Sequence, residues 1–81
     1  MPPVDLITLA QQFDRLIAER LQDGSATPLQ QQTLRDFSIW SHDSVAEILR
    51  LPEEQRAEKA LELQSDMRRA LIELNIDPLS F

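Results

Sequence analysis

The sequence predicts an all-α fold, a three-helix antiparallel bundle, and three observations carry that expectation. Apolar residues recur at three- and four-residue spacing through three long segments. Each segment is bounded by capping residues, by proline or by the single glycine. No stretch alternates with the period of two that marks a half-buried strand. The helices are expected at about residues 6–22, 28–50 and 53–74, with a tail at 75–81, all within one domain spanning residues 1–81. The short connections between them favour antiparallel neighbours.

The first helix follows Asp5, whose carboxylate suits the free amide protons of an opening turn. Leu6, Leu9, Ala10, Phe13, Leu16, Ile17 and Leu21 then fill an arc of roughly 140°, the width of a core-facing stripe. Asp23-Gly24 closes it, since glycine takes the left-handed conformation of a helix end without penalty. The second helix opens on Thr27-Pro28-Leu29-Gln30, the pattern of a capping box with proline at the first helical position. Its apolar positions are Leu29, Leu34, Phe37 and Trp40, then Val45, Ile48, Leu49 and Leu51, and the stripe rotates between the two groups. Ser41-His42-Asp43-Ser44 lies at the rotation, a run of types that prefer caps and turns. A split into two helices there is open, and a bent or continuous helix is the favoured expectation. Leu51-Pro52 ends it, because the residue before proline is driven from helical angles.

Pro52-Glu53-Glu54 begins the third helix, with two carboxylates at its positive end. Ala57, Ala60, Leu61, Leu63, Met67, Ala70, Leu71 and Leu74 cover nearly half its circumference. Asn75 is the expected left-handed cap, and Pro78 prevents continuation.

Composition narrows the functional classes. At 81 residues the chain has room for one small core, and folding buries only about 63% of its exposable surface. With 42% hydrophobic and 27% charged residues, wholesale disorder is disfavoured. The absence of cysteine removes disulfides and thiolate chemistry. A single histidine and a single glycine disfavour a His-rich metal cage and a glycine-rich phosphate loop, so no cofactor is expected. Fourteen acidic residues against eight basic ones give a net charge of −6. Phosphate backbones and anionic lipid surfaces repel such a chain, so neither nucleic acid nor membrane is expected as a partner. The opening residues lack the basic and apolar regions of a secretory signal, which makes the cytoplasm the expected compartment.

Ser41-His42-Asp43-Ser44 contains every residue type of a hydrolase triad, yet adjacent helical residues point about 100° apart and do not converge. A metal on His42, Asp43 and Glu47 lacks the usual ligand spacing. Glu54, Glu58, Glu62 and Asp66 form a four-residue row on the third helix. It reads first as a solvated face and second as a docking strip for a basic partner. Trp40 reads first as core and second as an interface anchor. Arg20, inside the apolar arc of the first helix, is expected to lay its methylenes on the core with its charge at the helix C-terminus.

The apolar surplus is the most suggestive feature. Ile7, Ile39 and Ile72 fall outside the main stripes, and Leu61 and Leu63 sit at opposite edges of theirs. The contact candidates are therefore Trp40, Ile39, Leu61, Leu63 and Ile72, the tail residues Leu79 and Phe81, and the acidic Glu58, Glu62 and Asp66. Leu79 and Phe81 are expected to tuck back on the bundle, with docking in a protein groove as the alternative. The expected function is a non-enzymatic acidic interaction module (adaptor, regulator or chaperone-like) acting through apolar helix faces. Its bundle is completed by homodimerisation, and its protein partner is unidentified. The alternatives are a nucleic-acid-associated regulator of helix-turn-helix type, which lacks a basic recognition helix, and an acidic mimic occupying a basic site on an enzyme.

Overall fold

Asp5 stands in extended conformation, and its Oδ1 accepts the Ile7 amide proton at 3.1 Å while Oδ2 accepts the Thr8 hydroxyl at 2.8 Å. This cap starts α1 (Leu6–Gln22), the first of three helices in a computed structural model that describes residues 5–77. Thr27 starts α2 (Pro28–Leu49): its hydroxyl accepts the Gln30 amide proton at 3.2 Å, and Gln30 Oε1 accepts the Thr27 amide proton at 2.8 Å. The capping box expected from the sequence is thus complete, and two amides at the helix start are satisfied. Helix α3 (Glu53–Glu73) has no side-chain cap. Pro52 occupies the cap position rather than the first turn, and Glu53 and Glu54 place their charge at the positive end of the helix dipole.

The helix ends are closed as specifically as the starts. Gly24 takes φ +76°, and Asp23 Oδ1 accepts both the Ser25 amide proton at 2.8 Å and its hydroxyl proton at 2.6 Å. Asn75 takes φ +59° after α3. The Ile76 amide donates to the Leu71 carbonyl at 2.8 Å and the Asn75 amide to the Ile72 carbonyl at 3.1 Å. Together these form a Schellman closure, in which the apolar residue after the turn packs back on the helix. Ile76 does so, packing against the core. The tail candidates Leu79 and Phe81 lie outside the described residues.

Two arginines fasten one helix to the end of another. Arg56, in the second turn of α3, donates to the Leu51 and Leu49 carbonyls at 2.9 and 3.1 Å, covering acceptors left open at the end of α2. Arg20 of α1 donates to the Asn75 carbonyl at 3.5 Å and lies 3.8 Å from the Asp23 carboxylate. Its charge therefore reaches the C-terminal end of α3 as well as that of its own helix. These contacts place the C-terminus of α1 beside that of α3, while Ile7 at the other end shares a surface groove with Leu49 and Ala57. The order is up, down, up, with α1 and α2 antiparallel. The all-α three-helix bundle is the observed fold.

The core follows from the stripes. Leu6, Leu9, Phe13 and Ile17 of α1 meet Leu34 and Ile48 of α2 and Ala60, Leu63, Met67, Ala70 and Leu71 of α3. Trp40 stacks edge-on against Phe13 and Phe37, with ring centroids 6.0 and 5.9 Å away. Helix α2 runs unbroken through Ser41–Ser44. The reason is Ser41, which is fully buried. Leu34, Ser41 and Ile48 recur every seven residues, with Phe37 and Val45 between them, so the buried stripe is straight once this serine counts as core. Leu29, Leu49 and Ala57, expected in the stripes, are instead exposed. Leu29 and Leu49 lie in the end turns of α2.

The Ser41 hydroxyl has no hydrogen-bond partner among the described residues. An unpaired buried polar group costs about 1–3 kcal/mol, and alanine is the better helix former. Ser41→Ala is therefore expected to stabilise the protein by about 1 kcal/mol, raising the melting temperature by roughly 4–8 °C in a thermal scan.

The caps carry a pH signature. The Thr8 hydroxyl, then the Ile7 amide, hold the Asp5 carboxyl below its ordinary 3.8. The Ser25 hydroxyl, then the Ser25 amide, do the same for Asp23, helped by the charge of Arg20. A lowered folded pKa gives stability that is present above the unfolded value and lost as pH falls through the folded one. Denaturant titrations below about pH 4 are expected to show this loss, and Asp5→Asn with Asp23→Asn to show a smaller one.

Candidate interaction surface

Most of the contact candidates read from the sequence are on the outside of the bundle. Ile39 is 61% exposed, Leu61 57% and Ile72 60%. Leu63 is different: at 4% exposure it belongs to the core and offers nothing to a partner. It lies three residues after the buried Ala60 and four before the buried Met67, on the inward face of α3, whereas Leu61 faces solvent. Trp40 is half-buried between Phe13 and Phe37, with an edge on a shallow groove bounded by Thr33 and Asp36. Glu58, Glu62 and Asp66 are exposed, and Glu62 accepts from the Lys59 ammonium at 3.2 Å.

The polar run of α2 takes part in a contact that sequence reading missed. Asp14 of α1 receives two partners from α2: the Ser38 hydroxyl donates to Oδ1 at 3.0 Å, and His42 Nε2 lies 2.6 Å from Oδ2. Ser38 and His42 are one turn apart, so both reach a single carboxylate on the facing helix. The order differs from that of a hydrolase triad. Here the carboxylate stands between hydroxyl and imidazole, whereas proton abstraction needs the imidazole in the middle. Asp14 also orients both side chains away from Ser41, which is buried, and from Asp43, which is exposed. Among the described residues, no three of His, Cys, Asp and Glu are grouped closely enough to hold a metal ion.

Apart from Leu29, which borders a groove with Arg20, Glu73 and Asn75, the exposed apolar residues form two groups. On α3, Leu61 and Ile72 are eleven residues apart, three helical turns, and share one flank with Arg68. The larger group lies along the outer side of the α1–α2 pair. Ile7 and Leu49 share a groove at one end with Asp5 and with Glu53, Arg56 and Ala57 of α3, while Ala18, Leu21, Arg35 and Ile39 line another with Asp14 and Ser38. The Asp14–His42 contact lies between the two. Sequence reading marked Ile7 and Ile39 as lying off their stripes, and what it lacked was the helix pairing that brings them to one face.

No protein-family model matches this chain, and neither a curated protein nor a solved structure is significantly similar to it. No helix among the described residues is long and apolar enough to cross a membrane.

His42 is 64% exposed, so its contact is worth below about 1 kcal/mol. Asp14→Ala is expected to cost more than His42→Ala, because it also strands the half-buried Ser38 hydroxyl. In a double-mutant cycle, adding His42→Ala to Asp14→Ala should cost nothing further, as read by denaturant unfolding.

Proposed function

We propose that this chain is a non-enzymatic, acidic, helical interaction protein that works through its exposed apolar helix faces, as an adaptor, regulator or chaperone-like factor. One observation carries the reading. Ile7, Leu29, Ile39, Leu49, Leu61 and Ile72 are all between 45% and 78% exposed. Scattered exposed apolar residues are ordinary, but residues aligned on a helix flank or along a helix pair form a contact surface. The charge of −6 supports a protein partner over a polyanion, since phosphate repels it at long range. A small core favours association as well, because whatever binds the folded state stabilises it. Self-association and a cytoplasmic setting belong to the same reading.

Site-specific photo-cross-linking in the producing cells tests it. A photoreactive residue at position 39, 61 or 72 is expected to yield discrete protein adducts, whether with a second copy or with another protein. The same residue in place of Gln12, exposed on the opposite flank of α1, should yield none. Absence of adducts at all three positions would overturn the reading.

A further inference from the structure

We infer that the corner between Phe37 and Trp40 on α2 receives an arginine side chain of a protein partner, stacked on the rings and paired with Asp36. This rests on the interaction reading above and names the chemistry that its partner presents. The corner is built by helical spacing. Thr33, Asp36, Phe37 and Trp40 recur at three- and four-residue intervals, so they share one flank of α2 and line a groove of about 250 Å³. The two rings stand at 85° with centroids 5.9 Å apart, and a perpendicular pair encloses its corner between ring faces. Phe13, fully buried, meets Trp40 from the core side at 6.0 Å and holds the indole in place. The Thr33 hydroxyl is turned to its own helix, where it donates to the Leu29 carbonyl at 3.1 Å. Asp36 is left as the charged group of the groove.

Charge selects the occupant. Asp36 is exposed; Gln32 Nε2 donates to its Oδ1 at 3.0 Å, and it forms no ion pair among the described residues. The same flank of α2 continues through Asp43 and Glu47, two further exposed carboxylates. Arg35 turns to the opposite side, where it lines a groove with Asp14 and Ile39. Arg50 lies about 21 Å farther along the helix than Asp36. On α3, Thr33 is level with Glu73 and Leu74, which places Arg69 near the level of Phe37. Arg69 neither lines the groove nor pairs with Asp36, and Asp66 and Glu73 stand one turn to either side of it. Carboxylates therefore outnumber cations around the corner, and the ring faces add the negative side of their quadrupoles.

A guanidinium suits both walls of such a corner. It is planar, so it stacks on a ring face, and its fork of donors meets a carboxylate at the same time. An ammonium offers a single point of charge and no plane. The groove is shallow, so a small free cation keeps most of its water there, whereas a side chain delivered by a docked segment does not. Leu29 gives that segment an apolar footing. It is 78% exposed and lies on the same flank, about 10 Å before Asp36.

Trp40 is the single tryptophan, so its fluorescence reports on this corner. N-acetyl-arginine amide, titrated into the full chain from about 1 to 100 mM at constant ionic strength, is expected to change the emission saturably. The neutral isostere N-acetyl-citrulline amide should leave it unchanged. Asp36→Asn, at an exposed position, should raise the half-saturation concentration by about threefold or more. Glu19→Gln on α1, the same change of charge away from the groove, should not. In the producing cells, a photoreactive residue in place of Leu29 should yield protein adducts that Asp36→Asn reduces. A flat titration overturns the proposal, as does an equal response to the citrulline compound. So does a response, or a set of adducts at position 29, that Asp36→Asn leaves intact, and so does the absence of those adducts. If Trp40 stays silent while positions 39, 61 or 72 still cross-link, the interaction reading stands and the arginine site alone is rejected.

Discussion

Phe13 is the contact on which the bundle depends. It is fully buried on α1, and Trp40 of α2 meets it edge to face. Phe37 braces the far side of the same indole. Aromatic pairs of this geometry contribute about 0.5–1.5 kcal/mol beyond area burial. Met67 and Leu71 of α3 are as fully buried as Phe13 and belong to the same core. A chain of 81 residues has few such positions, so one central ring orders a large share of its interior.

That centre fixes which faces turn inward, and the ends fix how the helices lie along one another. Arg56 closes the carbonyl end of α2 from α3, and Arg20 reaches the carbonyl end of α3 from α1. Each arginine carries positive charge to the negative end of a neighbouring helix while satisfying acceptors that lack an intrahelical donor. The positive-φ residues Gly24 and Asn75 let the chain leave α1 and α3 without strain in the adjoining turns. Capping and packing therefore point to one arrangement, the agreement between levels that makes a small core sufficient.

The surface divides along the same lines. Helical spacing that sends Leu34, Ser41 and Ile48 inward also sends Ile39, Ala46 and Leu49 to the outer side of the α1–α2 pair. Six of the fourteen carboxylates lie on α3. Asp14, joined to Ser38 and His42, ties α1 to α2.

The number, limits and caps of the helices were legible in the sequence, because they arise from interactions a few residues long. Asp5, the Thr27–Gln30 box, Gly24 and Asn75 act through neighbours within one turn. Tertiary structure alone decided the rest. Ser41 read as a polar interruption, yet packing makes it core, since its burial depends on the helices around it and not on its own polarity. Leu63 and Leu61 are equally apolar in sequence, and the placement of α3 on its neighbours buries only the first. Asp14, Ser38 and His42 come together from positions up to 28 residues apart, which no local pattern encodes. The outer face of α1 and α2 exists for the same reason: two unremarkable strips become one surface when the helices lie side by side.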